Sequence, residues 1–582
     1  MVRKTYSSLK KIYNELSAAI KKKVILLILL IIICAFLEFI AIILLPAIIM
    51  AFTNNFEGNY RFLFELLNYS NHKDLIFKLT IIVTLIFLLR FLVNIIYVNK
   101  LTHFLMTVKI FFTAKLIKSI FSIDYLNFKK KDISSTTRLL IDEKNILVSN
   151  TVTACFSIIM EVITTTPYLL ICIYIEYKVF LSLFLFFVLV FFIFKISLIK
   201  KIKFWGSQRL KFDSIQHKKI QEIILSSKNI YLDNLLFKFL KNIIFYTKSG
   251  AKYERFGLFF QMTPRFILEF LTIFILFLCI ILIGNFSSDN FFSFLPILAI
   301  YLAMSLKLLP SINRVMQATQ SIKFAESAVL LILENLKYYN IKHVETKDTL
   351  KRIDNKIKIN KNLQIKNINF GYEKNNKIII IDKINFDIGD IVHISGLSGS
   401  GKTTFVEILS GLIKNKNKAE IRVDNKIILT DKDFLNYQKN IAYVPQNTFL
   451  IDDTIKNNVL FSDFNLLTSD KDYNDVLELI LLDKFAKNKG SKFTIGEFGS
   501  KLSGGQKQKI SIARSLLKKA ELLILDEATS ALDKTSEIKI LNNIIKSKKF
   551  KIIIIVSHNI ALKSFCNKKI KIENGSIFFS DD

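Results

Sequence analysis

This 582-residue chain has only five cysteines, and no two of them have the short spacing that metal-binding cysteine pairs need. Four of the five lie inside apolar runs. We therefore predict small buried side chains, rather than disulfides or metal ligands, at Cys34, Cys155, Cys172, Cys279 and Cys566.

A cleavable signal peptide and an excess of acidic residues are also missing. The first apolar run is too long for a signal peptide and has no small-residue cleavage site. Asp and Glu number 48 against 81 Lys and Arg, which gives a net charge of +33. Nucleic-acid binding would suit this charge, but basic cytoplasmic loops and a lysine-rich surface explain it better. We therefore expect no nucleic-acid partner.

Hydrophobic residues make up 51% of the chain, and the long uncharged runs are confined to roughly its first 320 positions. A helix needs about 20 apolar residues to cross a bilayer. The runs long enough to do so predict six spans: Val24–Met50, Leu79–Val98, Val152–Ile175, Val179–Ile199, Phe266–Ile283 and Phe291–Leu309.

Basic residues set the expected orientation of these spans. Lys10, Lys11 and Lys21–Lys23 precede the first span, whereas the predicted outer loop Gly284–Asn290 has neither Lys nor Arg. Because Lys and Arg favour the cytoplasmic side, both chain ends should be cytoplasmic. The long lysine-rich segments on that side should extend the spans into the cytoplasm.

Five charged residues fall at or near the predicted membrane depth. An unpaired ion there costs at least a few kcal/mol, so each should face a partner or a water-filled cavity. Structural ion pairing and contact with a substrate are equally good interpretations. The residues are Glu38, Arg90, Glu161, Glu269 and Lys307.

From about residue 350 the pattern changes to short strands and amphipathic helices, typical of an α/β fold. Strand Ile391–Ser395 is followed by a G-x-x-x-x-G-K-T loop and an apolar helix through Leu412. Such a loop cradles phosphates with its backbone N–H groups and with a helix N-terminus. Lys402 would reach the β- and γ-phosphates, and Thr403 would bind Mg²⁺. The predicted ATP ligands here are Gly396, Ser398, Gly399, Ser400, Gly401, Lys402, Thr403 and Thr404.

A second apolar strand, beginning at Leu522, ends in Asp526 and Glu527. Following a phosphate loop by about 120 residues, such a pair is typical of a nucleotide hydrolase. Asp526 can hold Mg²⁺ through water, and Glu527 can polarise the attacking water.

Between these motifs lies Leu502-Ser-Gly-Gly-Gln, a second anion cradle at a helix start. One nucleotide has no need of two cradles in one chain. Head-to-tail pairing of two copies would use both, with Ser503, Gly504, Gly505 and Gln506 of one copy closing over the phosphate held by Lys402 of the other. We therefore predict a homodimer.

These motifs resemble the ATP-binding cassette (ABC) family, whose signature motif Leu502–Gln506 matches. The resemblance implies an aromatic stacking on adenine at Tyr372. It also implies a Mg²⁺-sensing glutamine at Gln446, a loop linking the two sites that ends at Asp533, and a γ-phosphate contact at His558. Gly496-Glu-Phe-Gly499 resembles an exporter-specific segment.

Six spans before one cassette resemble the half-transporter order of the type IV exporters. The implied fold is an α-helical six-span transmembrane domain fused to an α/β P-loop cassette, acting with ATP and Mg²⁺ in the bacterial inner membrane. We expect a transmembrane domain over 1–335, a linker over 336–360 and a cassette over 361–582. Coupling helices would lie near Ser122–Ser135 and Lys228–Phe237.

Stretches of the spans also resemble the bacterial lipid-linked oligosaccharide flippases (PglK type). One runs from Phe36 to Pro46, and another surrounds Arg90. By this resemblance Arg90, Arg265, Lys307 and Arg314 would contact a polyprenyl pyrophosphate. An exporter of peptides or hydrophobic drugs is the alternative, and a soluble nucleic-acid-remodelling ATPase is a third reading that the spans argue against.

Overall fold

A computed structural model describes residues 2–52, 72–175, 177–284, 308–341, 356–372, 378–414, 420–461 and 469–579. The chain divides into two compact units. A helical unit comprises Met1–Ile123 and Phe128–His343, and a cassette unit comprises Asp124–Asn127 and Val344–Asp582. Our finer domain bounds stay a prediction.

Long helices dominate the first 341 residues, because apolar runs there are rarely interrupted by turn-forming residues. The helices are α1 (Val2–Glu15), α2 (Ala18–Phe52), α3 (His72–Phe121), α4 (Tyr125–Lys129), α5 (Ile133–Arg138), α6 (Thr153–Ile175), α7 (Tyr177–Leu225), α8 (Ser227–Leu232), α9 (Leu236–Gly284), α10 (308–324) and α11 (Glu326–Ile341). Between α5 and α6, two π-helical turns, Leu139–Glu143 and Leu147–Val152, flank a short α-helical turn, Lys144–Ile146.

Four of the first five predicted spans fall entirely within α2, α3, α7 and α9, and the other, Val152–Ile175, begins one residue before α6. Of the sixth, Phe291–Leu309, only the last two residues are among those described. Within the described residues, Ala18–Ala41, Lys73–Phe121 and Ile133–Leu170 are long and apolar enough to cross a membrane. The 50 residues of α3 make it about 75 Å long, more than twice the thickness of a bilayer's hydrocarbon core. The helix therefore continues well beyond the membrane, as the long lysine-rich segments predict.

The core of the helical unit is apolar and joins α2, α3 and α11. Leu27 and Ile31 of α2 pack with Phe104 and Phe112 of α3 and with Ile332 of α11. Cys34, Cys155 and Cys566 are free thiols, and of these Cys34 and Cys566 are buried, as predicted, whereas Cys155 is half-buried.

The cassette unit contains two sheets. Its strands are β1 (Asn362–Phe370), β2 (Ile379–Asp387), β3 (Ile391–Gly396), β4 (Glu420–Val423), β5 (Lys426–Ile427), β6 (Ile441–Val444), β7 (Leu522–Asp526), β8 (Ile552–Val556), β9 (Lys568–Glu573) and β10 (Ser576–Phe579). The smaller sheet has the order β2-β1-β4-β5 and is antiparallel. The larger sheet has the order β10-β9-β3-β8-β7-β6, and all its pairs except β10–β9 are parallel.

Helices of the cassette cover its strands. They are α12 (Lys402–Leu409), α13 (Asp431–Gln438), α14 (Ile455–Val459), α15 (Asp470–Leu479), α16 (Asp483–Lys489), α17 (Gly504–Leu517) and α18 (Lys534–Lys546), with 3-10 turns at Glu497–Gly499 and Ile560–Phe565. Helix α12 ends at Leu409, not at Leu412 as the apolar pattern predicted. Gly411 adopts a φ of +67°, and the Leu412 N–H turns back to the Glu407 carbonyl, which closes the helix.

Topology of the larger sheet positions the functional residues. Every residue of β7 and β8 is buried, as expected of central parallel strands. The carboxyl ends of neighbouring parallel strands meet at one edge, where ligands bind in open α/β sheets. The ends of β3, β6, β7 and β8 therefore bring four distant chain segments together.

Candidate ATP-binding site

The phosphate loop joins β3 to α12, and two of its glycines, Gly396 and Gly401, leave no space for a side chain. A Cβ at Gly396 would lie 2.3 Å from the Ile572 carbonyl oxygen. Gly401, with φ of +100°, would place a Cβ 2.8 Å from Ile379 Cγ1. Backbone in the left-handed region with neighbours this close excludes a side chain at Gly401.

Lys402 begins α12 and is buried. Its Nζ donates hydrogen bonds to the Gly396 carbonyl at 2.8 Å and to the Leu397 carbonyl at 3.0 Å. The same Nζ lies 3.3 Å from His558 Nε2. Beside it, the buried Oγ of Ser400 has no hydrogen-bond partner within the described residues. A buried cation next to an unsatisfied hydroxyl fits a phosphate ligand.

The two carboxylates at the end of β7, Asp526 and Glu527, have different environments. Asp526 is buried and accepts a hydrogen bond of 3.0 Å from the Tyr443 hydroxyl, and burial raises its pKa. Glu527 has a φ of +49°, unusual for a residue other than glycine. Its N–H donates to the Val556 carbonyl at 3.0 Å, which fixes this strained turn against β8.

Glu527 connects the other predicted catalytic residues. Gln446 Nε2 donates a hydrogen bond of 2.6 Å to Glu527 Oε2. His558 Nε2 lies 3.4 Å from Glu527 Oε1 and 3.3 Å from Lys402 Nζ. Lys402, Gln446, Glu527 and His558 thus form one cluster, because they follow neighbouring strands of one sheet.

The remaining phosphate-loop residues lie at the surface or on α12. Ser398 and Gly399 are exposed, and so is Thr403, the predicted Mg²⁺ ligand in the first turn of α12. Thr404 is buried, and its hydroxyl lies 3.3 Å from that of Tyr372. The Tyr372 ring packs edge-on against Phe370, so the aromatic predicted to stack on adenine lies beside the phosphate-loop helix.

Glu407 was missed by sequence reasoning. It is buried on α12 and accepts hydrogen bonds from the Tyr372 hydroxyl at 3.4 Å and from the Tyr125 hydroxyl at 3.3 Å. Tyr125 lies in Asp124–Asn127, the segment that belongs to the cassette unit. An acid among the buried apolar residues of α12 was the available signal, since buried acids require partners.

The signature segment, which is predicted to bind a second anion, lies at the start of α17. Ser503 caps α17 with a reciprocal pair of bonds: its Oγ accepts from the Gln506 N–H, and the Gln506 Oε1 accepts from its N–H. A Cβ at Gly505 would lie 3.1 Å from the Ala531 carbonyl, whereas one at Gly504 would make ordinary contact with the Ala531 side chain.

Gln508, also missed, ties this cradle to the loop after β7. It is buried, accepts a hydrogen bond of 2.8 Å from the Ala531 N–H, and donates one of 3.1 Å to Ser530 Oγ. Asp533 caps α18 through the Ser536 N–H at 2.9 Å. Hydrogen bonds from Thr535 and Ser536 hold the pKa of Asp533 far below its usual range.

The structure does not join the signature segment to the phosphate loop. Among the described residues, the hydrogen bonds of Ser503 stay within residues 503–507, and those of Asp533 stay within α18. Within one copy of the cassette, no hydrogen bond of Ser503 among the described residues therefore reaches the phosphate loop.

In the helical unit, each candidate substrate arginine is paired with a glutamate. Arg90 Nη2 lies 3.0 Å from Glu38 Oε2, and the Tyr168 hydroxyl also donates to Glu38. Arg265 Nε lies 2.7 Å from Glu269 Oε1.

Arg314 makes the third such pair. It binds Glu161 through both Nε and Nη2, the latter at 3.1 Å. Lys307, the fourth candidate, lies outside the described residues. Of the two interpretations left open for the charges at membrane depth, ion pairing thus describes Glu38, Arg90, Glu161 and Glu269.

Comparison with known proteins found a family model, relatives and a solved structure that are similar to this chain. Residues 381–530 match the family model described as "ABC transporter". A protein of Rickettsia prowazekii, whose name describes an export ATP-binding/permease protein, is 37% identical over 219 residues, covering 37% of each chain. An ATP-dependent lipid A-core flippase of Syntrophus aciditrophicus is 32% identical over 298 residues, covering 50% of this chain and 46% of its own. The chain thus spans less than half the length of these relatives.

A solved structure extends the likeness to nearly the whole chain. It is a bacterial Atm1-family ABC exporter with ATP bound, with a TM-score of 0.75, 16% identity, and coverage of 97% of this chain and 95% of that one. The chain therefore has the fold of an ABC exporter, a helical membrane region fused to a P-loop cassette, and its cassette is an ABC-type ATPase domain.

Proposed function

We propose that this chain is an ATP-hydrolysing membrane exporter, with its helices in the bacterial inner membrane and its cassette in the cytoplasm. The supporting observation is the cluster in which Lys402 contacts His558, His558 contacts Glu527 and Gln446 donates a hydrogen bond to Glu527. The export-related names of relatives with similar cassettes agree with this proposal.

Each residue of the cluster has a role suited to its surroundings. Lys402 neutralises the β- and γ-phosphates, exchanging its bonds to loop carbonyls for bonds to phosphate oxygens. Glu527 accepts the proton of the attacking water, Gln446 orients Glu527, and His558 contacts the γ-phosphate. Mg²⁺, which would neutralise charge on the phosphates, would be held by Thr403, Gln446 and, through water, Asp526. Mg²⁺ commonly binds through few protein ligands and substrate phosphates.

A homodimer completes the site in this proposal. Ser503, Gly504, Gly505 and Gln506 are held apart from the phosphate loop of their own chain, so the loop of a second copy is the partner we assign to them. Asp533 anchors the loop between the two sites.

The helical unit offers a further reason for pairing. Around α8, near the predicted second coupling helix, Tyr231, Leu232 and Phe237 are each more than 80% exposed. Neighbouring exposed apolar side chains of this size mark an interaction surface. A second copy of the chain is the partner that we assign to it.

For cargo, we propose an amphipathic anionic lipid, with lipid-linked oligosaccharide as the preferred candidate. The flippase named above, whose cargo is lipid A-core, supports this class. Arg265 and Arg314 keep exposed guanidinium groups despite their pairs, with side-chain exposures of 62% and 52%. Each could exchange a glutamate for a headgroup phosphate, and Lys307 could add a point charge.

ATPase stimulation in lipid nanodiscs tests the cargo. A polyprenyl-pyrophosphate glycan should accelerate ATP hydrolysis and be flipped, and Arg265→Ala and Arg314→Ala should each abolish flipping. Arg255→Ala, which removes the same charge from an exposed position of α9, is the matched control and should flip normally. Stimulation by peptides or hydrophobic drugs instead would favour the alternative exporter.

A further inference from the structure

A basic cleft of about 210 Å³ lies between the first two long helices of the helical unit. From α2 it is lined by Lys23, Leu26 and Leu27. From α3 it is lined by Asn99, Lys100 and His103. The exporter proposal uses none of these residues.

Position along the helices places this cleft at the membrane surface. Lys23 immediately precedes the predicted span Val24–Met50, and Asn99 immediately follows the predicted span Leu79–Val98. Both boundaries face the predicted cytoplasmic side. Two independently predicted span ends therefore meet at one cleft, at the depth of the lipid headgroups.

The lining of the cleft differs from the surroundings of Arg90, which lies inside a predicted span and is paired with Glu38. The residues that line it in the described part of the chain include two lysines and no carboxylate. Lys23 Nζ donates a hydrogen bond of 3.3 Å to Thr107 Oγ1, whose hydroxyl in turn donates to the His103 carbonyl at 2.8 Å. An ammonium group has three donors, so this tether orients Lys23 while leaving two donors for a ligand.

The apolar surroundings suit an acyl chain. Leu26 forms part of the cleft wall and is exposed, and Leu29, Leu92 and Ile96 are exposed on the same two helices in the direction of the membrane. A ligand with a phosphate and a hydrocarbon tail could place the phosphate between the lysines and the tail along these side chains. A soluble anion would use only the polar part.

We propose that this cleft binds the phosphate of an anionic phospholipid from the cytoplasmic leaflet. The bound lipid would be a resident of the helical unit rather than the exported cargo. This inference rests on the membrane location of α2 and α3 and is independent of the proposed cargo.

Native mass spectrometry of the purified full-length protein tests the inference. The protein is titrated with phosphatidylglycerol, and with phosphatidylcholine as the zwitterionic comparison. Each lysine near a membrane surface contributes about 1 kcal/mol to binding anionic lipid, so Lys23→Gln with Lys100→Gln should weaken phosphatidylglycerol binding about 30-fold. Phosphatidylcholine binding should change little.

Two matched double variants distinguish the loss of this binding site from a general loss of positive charge and from misfolding. Lys10→Gln with Lys11→Gln removes the same charge from exposed positions on α1 and should leave phosphatidylglycerol binding unchanged. Lys23→Arg with Lys100→Arg keeps the charge and should retain binding, which shows that loss in the glutamine variant is not misfolding. Equal weakening by both glutamine pairs, or none by Lys23→Gln with Lys100→Gln, would overturn the proposal.

Competition distinguishes the two sources of phosphate. Inorganic phosphate and glycerol phosphate should displace phosphatidylglycerol only at concentrations far above those of the lipid, because they lack the tail. Displacement at comparable concentrations would overturn the assignment to a lipid and indicate a soluble-anion site.

Discussion

Gln446 Nε2 donates a 2.6 Å hydrogen bond to Glu527 Oε2, which joins the end of β6 to the end of β7. The bond fixes the orientation of a carboxylate whose own backbone is held at a φ of +49°. Glu527 therefore reaches the phosphate-loop edge already oriented, with His558 on its other oxygen.

Replacing this carboxylate by its amide should stop hydrolysis without removing nucleotide binding. Because Glu527→Gln keeps the shape but cannot accept a proton, we expect ATP hydrolysis to fall about 10²- to 10⁴-fold. ATP should remain bound and hold two copies together, which size-exclusion chromatography with labelled ATP would detect. Rapid turnover by this variant would contradict the role given to Glu527.

The buried hydrogen bonds of Gln508 should stabilise the packing of α17 against the loop after β7. Gln508→Ala leaves the Ala531 N–H and Ser530 hydroxyl without their partner, so we expect a loss of about 1–3 kcal/mol in the free energy of unfolding. A double-mutant cycle with Ser530→Ala measures the pair directly. The two effects should be non-additive by at least about 0.5 kcal/mol, and strict additivity would show that the bond is not significant.

His393, in the middle of β3, should make the protein acid-sensitive. Its side chain is buried, and burial, with the nearby Lys563, lowers its pKa to about 4. The unfolded chain, with an ordinary histidine pKa of about 6.5, takes up this proton first. Stability is therefore retained above about pH 6.5 and is lost as pH falls toward 4.

Thermal unfolding of the full-length protein between pH 7.5 and 4.5 checks this effect. His393→Leu should be less stable at neutral pH but should show a shallower fall with acid. The control His217→Gln, at a half-exposed site in the helical unit, should keep the original slope. An unchanged slope in His393→Leu would refute the assignment.

Gly206 should be essential to packing in the helical unit. A Cβ there would lie 2.2 Å from the Phe324 carbonyl oxygen, so α7 and α10 could not keep their approach in Gly206→Ala. We expect a marked drop in the unfolding temperature in detergent. Gly250→Ala is the matched control, since its Cβ would meet only side-chain atoms, Asp213 Oδ1 at 3.0 Å and Phe212 Cβ at 3.6 Å, and no backbone atom. Equal tolerance of both changes would contradict the packing described here.

Local motifs made much of the cassette predictable. The phosphate loop, the acidic end of β7 and strand β8 each depend on a few consecutive residues, and parallel pairing then brings them to one edge. The Gln508–Ser530 bond depends instead on how α17 packs against a loop, and 22 residues separate its partners. Sequence spacing contains no signal for such a contact.

In the helical unit, the positions of five long helices could be predicted from the sequence, but the ion pairs could not. Hydropathy locates a span because the bilayer fixes its length. It does not indicate which helix faces which, and Arg314 and Glu161 are 153 residues apart. The sequence therefore identifies the charged residues that need partners, but it does not show which two residues form each ion pair.

The central claim is that each ATP site is built from two copies of this chain. Lys402→Ala removes one half of a site and Ser503→Arg the other, so each variant alone should be inactive. Mixed and co-reconstituted in nanodiscs, the two variants should recover ATP hydrolysis, because one of the two sites in a mixed dimer has both an intact phosphate loop and an intact Ser503. A mixture that stays inactive, or Ser503→Arg protein that hydrolyses ATP normally, would contradict the account.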